Sequence, residues 1–264
     1  YYTGYDGFAL LVVKKTSAFL LVPEMEYEKA KKTGFKTIIL QKKMANLSKT
    51  IGKVNNVGID KTSITVSNLE RIRKLVKARY HDISNELFEI RSTKEKDEID
   101  SIKKACKIGD EIFSKIVKNF KFKTEKELAI FIDMEIRGRG LLPSFPAIVA
   151  SGKNSSIPHH NNSGKITKGF LLLDYGVKIN GYCSDMSRTI YIGKPSKKEI
   201  SIYTHLLSVQ EKTLHFLKIG KKCSDIVSYC IEELGEYSDH FIHGLGHGIG
   251  LNIHELPNLK LESK

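Results

Sequence analysis

Short apolar runs alternate with amphipathic segments over the first third of the chain. Residues 1–13 and 17–22 are two strand-like runs separated by a lysine-rich turn region, which predicts a β-hairpin. The segments that follow predict helices over 24–32, 44–51 and 67–80, and strands over 36–40 and 56–60. This alternation predicts a small α/β domain with mostly parallel strands that closes near Leu87.

A charged segment, 89–96, separates this pattern from a series of longer amphipathic helices. Apolar residues recur at helical spacing from Ile99 to Phe120 and again over 224–234. Three Ser/Thr-x-x-Glu pairs predict helix-capping boxes where helical runs begin. They are Ser92 with Glu95, Thr124 with Glu127, and Ser196 with Glu199. We therefore predict two domains, 1–88 and 89–264, of which the second has at least four helices with strands between them.

Residues 170–192 predict a second β-hairpin. Asn180 and Gly181 separate two apolar, β-prone runs, and this dipeptide favours the two-residue turns that join antiparallel strands. Such a turn places Ile179 opposite Tyr182 and sets the register of every later pair.

Two aspartates lie in this predicted hairpin, one on each strand. The register places Gly176 opposite Asp185, with Asp174 two residues along from Gly176. Because side chains alternate between faces, the two aspartates would share one face about 7–8 Å apart between backbones, and Gly176 would leave that face open. Two half-buried carboxylates repel each other unless a cation or a shared proton lies between them. The hairpin is consistent with a pair of metal ions about 3.5–4 Å apart, and also with two ordinary exposed strand acids in another register.

Residues 241–255 are rich in glycine and carry three histidines. The spacing of His243 and His247 would suit a zinc pair on a helix, but the nearby glycines and the lack of the accompanying glutamate argue against a helix. In an extended segment His243 and His247 share one face. With His254 they are candidate functional residues, since neutral imidazole is the commonest metal ligand.

A polar loop over 151–164 carries two further histidines, His159 and His160. It follows residues 143–152, which predict a loop that enters a short strand. Histidines in such loops are often only solvated, but loops also carry catalytic groups.

Composition limits the possible partners. The formal net charge is +13, yet 36 of the 43 basic residues are lysines and none of the few arginines lies in an aromatic-rich run, so we expect no nucleic-acid partner. The longest apolar runs, 8–13 and 19–22, are too short to span a bilayer, so we expect no membrane partner. The four cysteines form no C-x-x-C pair, which favours a cytoplasmic protein.

Taken together, D-x10-D on a hairpin and H-x3-H-x6-H in HGLGHGIGLNIHE resemble the pita-bread-fold metallopeptidases, in particular the Xaa-Pro aminopeptidase and prolidase branch. The segments PSFPAIVASGKNSSIPHH and LLLDYGVKINGYCSDMSRT match that branch almost motif for motif, and YYTGYDG resembles part of its N-terminal domain. The resemblance covers nearly the whole chain. It implies an α/β (α+β) protein, with a small creatinase/prolidase-type N-terminal domain followed by a pita-bread catalytic domain.

The resemblance also implies a metal site and a reaction. Asp174 would bind one metal ion, Asp185 would bridge two ions, and His247 would bind the other. The cofactors would be two divalent ions, Mn²⁺, Co²⁺ or Zn²⁺, which activate the water that attacks the peptide bond preceding proline.

Three further histidines gain roles from the same resemblance. His159, His243 and His254 would be catalytic residues outside the metals' own ligands that position the substrate and stabilise the tetrahedral intermediate, with His159 and His243 contacting the substrate. Such histidines can donate to a developing oxyanion or carry a leaving-group proton. The partners implied are proline-containing peptides or dipeptides and a second copy of the chain in a homodimer.

One departure bears on activity. The family's site needs two more glutamates well downstream of His247, and Glu255 and Glu262 come too early to be either. We therefore expect the sequence to be a fragment that lacks both ends of a longer, active enzyme. The alternative is a catalytically dead pita-bread module that recognises a peptide or protein partner. A creatinase-like, metal-free amidinohydrolase is disfavoured because Asp174, Asp185 and His247 are all present.

Overall fold

The computed structural model describes residues 1–262 of the chain. Its backbone falls into two units, Tyr1–Ile90 and Arg91–Lys264. Both units mix helices with strands, as the alternating pattern predicts.

The first unit is built on short strands and helices. Its strands are β1 (Leu10–Lys14), β2 (Ser17–Val22), β3 (Lys36–Ile39), β4 (Asn56–Ile59) and β5 (Arg79–Asp82), and its helices are α1 (Tyr27–Lys31), α2 (Leu47–Ile51), α3 (Val66–Leu75) and α4 (Ser84–Ser92). The predicted hairpin of β1 and β2 is confirmed, and β2 with β3 and β4 with β5 pair in parallel. On β2, Phe19 and Leu21 enter one apolar cluster while Leu20 and Val22 enter another. Burial of both faces explains why this strand is apolar from Ala18 to Val22.

The prediction of a helix over 67–80 is wrong at its C-terminal end. It stops at Leu75, where the backbone of Val76 turns extended, and Arg79–Asp82 forms a strand that pairs with β4. Pairing with a neighbouring strand outweighs the local helical pattern, because propensity contributes only a few tenths of a kcal/mol per residue, ~0.7 at most for ordinary residues. The charged segment 89–96 is partly helical, since α4 continues to Ser92.

The second unit carries longer helices around antiparallel sheets. Its helices are α5 (Lys96–Lys118), α6 (Glu125–Arg137), α7 (Lys197–Phe216) and α8 (Cys223–Leu234). Its strands are β6 (Leu142–Pro143), β7 (Ile148–Ser151), β8 (Gly169–Tyr175), β9 (Val177–Ile179), β10 (Tyr182–Cys183), β11 (Met186–Ile192), β12 (Gly246–Gly248) and β13 (Glu255–Leu259). The prediction of at least four helices in this part of the chain is confirmed.

Two of the three predicted capping boxes are confirmed. Thr124 caps α6 with Glu127, and Ser196 caps α7 with Glu199. The third is wrong, because Ser92 still belongs to α4 and cannot cap the next helix. In its place Glu95 caps α5 and forms a capping box with Glu98.

Strand β8 is the centre of the sheet that carries the site. It lies between β7 and β11 and pairs antiparallel with both. Leu171, Leu173 and Tyr175 are fully buried in one core cluster with residues of α5 and α6. Because side chains alternate along a strand, Asp174 projects from the opposite face. The core thus fixes which way this carboxylate points.

Two findings bear on environment. Among residues 1–262, no helix is both long and apolar enough to cross a membrane. The cysteines are free; they are Cys106, Cys183, Cys223 and Cys230. A cytoplasmic location stays a prediction.

Candidate metal centre

The hairpin turn at Asn180 and Gly181 forms as predicted. Both residues have positive φ, 52° and 88°, which a two-residue type I′ turn requires. Tyr182 pairs with Ile179 across the turn. The local sequence therefore determines the turn and the starting register.

The same register continues into the longer strands. Tyr175 pairs with Met186, and Asp174 pairs with Ser187, whose hydroxyl donates to the Asp174 carboxylate at 3.1 Å. Asp185 directly precedes Met186 in the chain. The two aspartates are close enough for their charges to interact, in agreement with the predicted pairing.

The predicted open face at Gly176 is wrong. A Cβ atom added there would lie 1.9 Å from the carbonyl oxygen of Ser184 and 2.8 Å from the hydroxyl oxygen of Ser144. Glycine is needed because the backbone preceding Asp185 and the Ser144 side chain fill the space that a side chain would occupy. Gly176 therefore permits the close approach that brings Asp185 to the site.

His247 lies beside Asp185. Its Nε2 atom is 3.5 Å from the Oδ2 atom of Asp185, and its Nδ1 atom is 3.0 Å from the carbonyl oxygen of Gly248. A carbonyl can only accept, so Nδ1 carries the proton and, in the neutral ring, Nε2 keeps its lone pair. A backbone carbonyl that fixes the tautomer in this way is typical of metal-binding histidines.

The other three histidines predicted for the site have different surroundings. His254 packs edge-to-face on His247 with ring centroids 4.2 Å apart, and its charge acts on Asp185. His159 is close enough to Asp174 for their charges to interact. His243 lies in a bend, where its Nδ1 atom hydrogen-bonds the carbonyl oxygen of Gly244 and its ring packs on Phe241.

The prediction that His243 and His247 share a strand face is wrong. The strand begins at Gly246, so alternation does not reach back to His243, whereas His247 lies within β12 opposite Asn258. A β-bulge follows His247. Pairing with β13, which comes later in the chain, decides where extended backbone starts.

Burial disfavours the ionised form of both aspartates. It raises the pKa of Asp174, the Asp185 charge raises it further, and the Ser187 hydrogen bond and two nearby histidines oppose the rise. Burial likewise raises the pKa of Asp185 against the opposing effect of His247 and His254. A bound cation would relieve this cost of holding two carboxylates together.

The chemical types of these donors suit a divalent cation. Two carboxylates and a neutral imidazole are ligands that Zn²⁺, Co²⁺ and Mn²⁺ accept. Within residues 1–262, no group of three His, Cys, Asp or Glu side chains is arranged so that it could hold one ion. Asp174, Asp185 and His247 therefore supply suitable donor types for part of a metal site.

Sequence reasoning missed two buried ionic clusters. Glu125 bonds His160, and Glu255 bonds Arg91 and Lys94. Glu125 follows a helix cap, where an acid is ordinarily explained by the helix dipole. Nothing local in the sequence signals that these carboxylates are buried.

Comparison with known proteins identifies the class. Residues 100–263 match the model of metallopeptidase family M24, and residues 1–93 match the creatinase/prolidase N-terminal domain. The chain belongs to metallopeptidase family M24. The predicted fold, an N-terminal creatinase-type domain followed by a pita-bread domain, is confirmed.

Individual relatives indicate the branch of the family to which the chain is most similar. The chain is 34% identical to the Xaa-Pro dipeptidase of Pyrococcus furiosus over 98% of this chain and 77% of that protein. Among solved structures, the Xaa-Pro dipeptidase from Bacillus anthracis matches with a TM-score of 0.92 at 29% identity, covering 99% of this chain and 77% of that chain. The prolidase from Pyrococcus furiosus matches with a TM-score of 0.88 at 31% identity, covering 97% and 77%. The resemblance to the Xaa-Pro peptidase branch is confirmed.

Proposed function

We propose that this protein hydrolyses the peptide bond preceding proline in Xaa-Pro dipeptides or short peptides, using two divalent metal ions. The observation that carries the proposal is the pairing of His247 with Asp185, in which the Nε2 lone pair lies 3.5 Å from the carboxylate. The Xaa-Pro dipeptidases among its relatives support the choice of substrate.

Asp174, Asp185 and His247 are the residues that would hold the metal. When bound, a divalent ion would lower the pKa of its water to about 7 and polarise the scissile carbonyl. The protein's contribution is to fix these donors: β8 carries Asp174, Asp185 lies directly before β11, and the Gly248 carbonyl sets the tautomer of His247. Mn²⁺, Co²⁺ and Zn²⁺ all accept carboxylate and imidazole ligands, so each is a candidate for this donor set.

The neighbouring histidines would act on the substrate. His254 is exposed beside His247 and can donate a hydrogen bond to a developing oxyanion or a proton to the leaving amine. His159 is exposed near Asp174 and can serve the same end of the site. His243, whose Nδ1 atom hydrogen-bonds the carbonyl oxygen of Gly244, would also contact the substrate.

The binding-module alternative gains no support. A module without catalysis has no need for a histidine whose tautomer leaves a lone pair beside a buried carboxylate. The relatives with a named activity include Xaa-Pro dipeptidases and an X-Pro aminopeptidase. A homodimer stays a prediction that sedimentation would check.

Proline release tests the proposal. Protein expressed from the complete gene is freed of metal, reloaded separately with Mn²⁺, Co²⁺ or Zn²⁺, and assayed on an Xaa-Pro dipeptide and on the matching Xaa-Ala dipeptide. We expect metal-dependent release from the first substrate only, and its loss in Asp185→Asn. Asp100→Asn, an exposed carboxylate on α5, is the matched control.

Two outcomes contradict the proposal. One is the failure of all three metals to support hydrolysis of any Xaa-Pro substrate. The other is undiminished hydrolysis in Asp185→Asn, which would remove the pair of His247 and Asp185 from the chemistry.

A further inference from the structure

A buried carboxylate lies at the start of α6. Glu125, the first residue of the helix, is 0% exposed. Its Oε1 atom accepts from the backbone N–H of Ser151 at 2.8 Å and from the amide of Asn154 at 2.9 Å. Its Oε2 atom accepts from the backbone N–H of Gly164 at 2.6 Å and from Nε2 of His160 at 2.7 Å. Four donors on one carboxylate fill most of its acceptor capacity.

These bonds keep the carboxylate ionised despite its burial. Burial raises the pKa of Glu125, but the donors outweigh it and lower the pKa to about 2. The N-terminus of α6 favours negative charge at the same place. Glu125 is therefore a fixed buried anion at neutral pH.

All four donors belong to residues 151–164, which are the last residue of β7 and the polar loop that follows it. They stand at its start, within it and at its end, so a single side chain ties the whole loop to α6. The backbone N–H of Glu125 also donates to the carbonyl of Gly164 at 3.0 Å. A Cβ atom at Gly164 would lie 2.9 Å from Oε2, so glycine is needed for this approach.

The loop carries His159, which directly precedes the tethered His160. The His160 side chain is only 9% exposed, whereas His159 is exposed and interacts with the charge on Asp174. Anchoring one histidine therefore limits where its neighbour can stand. A loose loop would let His159 drift from the site, and a misplacement of about 1 Å can cost about 10²-fold in rate.

We propose that Glu125 is a positioning residue that holds His159 near Asp174 by tethering residues 151–164 through His160, Asn154 and two backbone amides. This inference rests on the proposed function only for the role of His159 in turnover. The tether itself is a property of the loop and can be measured without substrate.

The test substitutes Glu125→Gln, which keeps the side-chain shape but replaces one acceptor oxygen with an NH₂ group. Asp133→Asn, an exposed carboxylate on the same helix, is the matched control. We expect faster hydrogen–deuterium exchange over residues 152–163 in Glu125→Gln and unchanged exchange in Asp133→Asn. In the metal-loaded enzyme we expect kcat/KM for an Xaa-Pro dipeptide to fall about 10²-fold, mainly through kcat.

A double-mutant cycle separates positioning from general stability. If Glu125 acts through His159, then adding Glu125→Gln to His159→Ala lowers kcat/KM little further than His159→Ala does alone. Losses that multiply independently would overturn the inference, as would unchanged exchange over the loop. If Glu125→Gln does not fold, His160→Phe removes one of the four donors, and the same cycle and exchange measurement apply.

Failure of the proposed function has a different signature. A wild-type enzyme that cleaves no Xaa-Pro substrate would refute that function, while the exchange of the loop and the ring NMR signals of His159 would still report the tether. Unperturbed His159 signals in Glu125→Gln would then overturn the positioning role by themselves.

Discussion

The Nε2 atom of His247 lies 3.5 Å from the Oδ2 atom of Asp185, although the two residues are far apart in the chain. The contact joins two antiparallel pairings, that of β8 with β11 and that of β12 with β13. Each residue is held by backbone pairing close to it. The site therefore depends on strand register more than on the flexibility of its side chains.

Metal removal is expected to lower stability through this pair. A ligand that binds only the native state adds about 2.7 kcal/mol to the free energy of unfolding at a concentration 100 times its Kd. We expect Mn²⁺ to raise the Tm of the chelator-treated protein, and the increase to vanish in Asp185→Asn. Differential scanning calorimetry measures both shifts, and an equal increase in the variant would argue against Asp185 as a ligand.

Gly176→Ala is expected to destabilise the hairpin by about 1–3 kcal/mol, because the new methyl group would collide with a backbone carbonyl that cannot simply rotate away. The added Cβ atom would lie 1.9 Å from the carbonyl oxygen of Ser184. Gly109→Ala is the control, since its Cβ would meet only Met186 at an ordinary 3.7 Å. Urea denaturation compares the two, and equal stability of both variants would contradict the close-approach role of Gly176.

We expect the Glu125 carboxylate to stabilise the fold at neutral pH and to lose this effect in acid. Its folded-state pKa of about 2 lies below the ordinary 4.5, so its contribution is complete above about pH 5 and is lost as the pH falls toward 2. The lowered pKa corresponds to about 3 kcal/mol at most. The gap in free energy of unfolding between wild type and Glu125→Gln should therefore shrink between pH 5 and pH 2. A gap that widens over this range would show the sign to be wrong.

Glu255→Gln is expected to weaken the loop that carries His254. The Glu255 carboxylate, 6% exposed, binds the Lys94 ammonium at 2.9 Å and also pairs with Arg91. Leaving these partners unsatisfied should cost about 1–3 kcal/mol. Adding Lys94→Met should cost less than the sum of the two single changes, as thermal unfolding of the four proteins would measure. Strict additivity would mean that the pair contributes nothing.

The sequence by itself determined the features that arise from local chemistry. Asn180 and Gly181 form a turn because both tolerate positive φ, and period-two alternation then sets the register of the strands around Asp174 and Asp185. The caps at Thr124 and Ser196 are likewise local, since each hydroxyl bonds a backbone N–H three residues on. The motifs around the aspartates and histidines resemble the family to which the comparisons assign the chain.

Only the tertiary structure decided the features that depend on distant partners. The end of α3 follows from the pairing of β5 with β4, and the bend at His243 follows from where β13 meets β12. Burial of Glu125 depends on donors from a loop well beyond α6. The sequence around a residue shows its neighbours in the chain, but not the distant contacts that bury it. Those contacts determine how much the residue contributes to the stability of the fold.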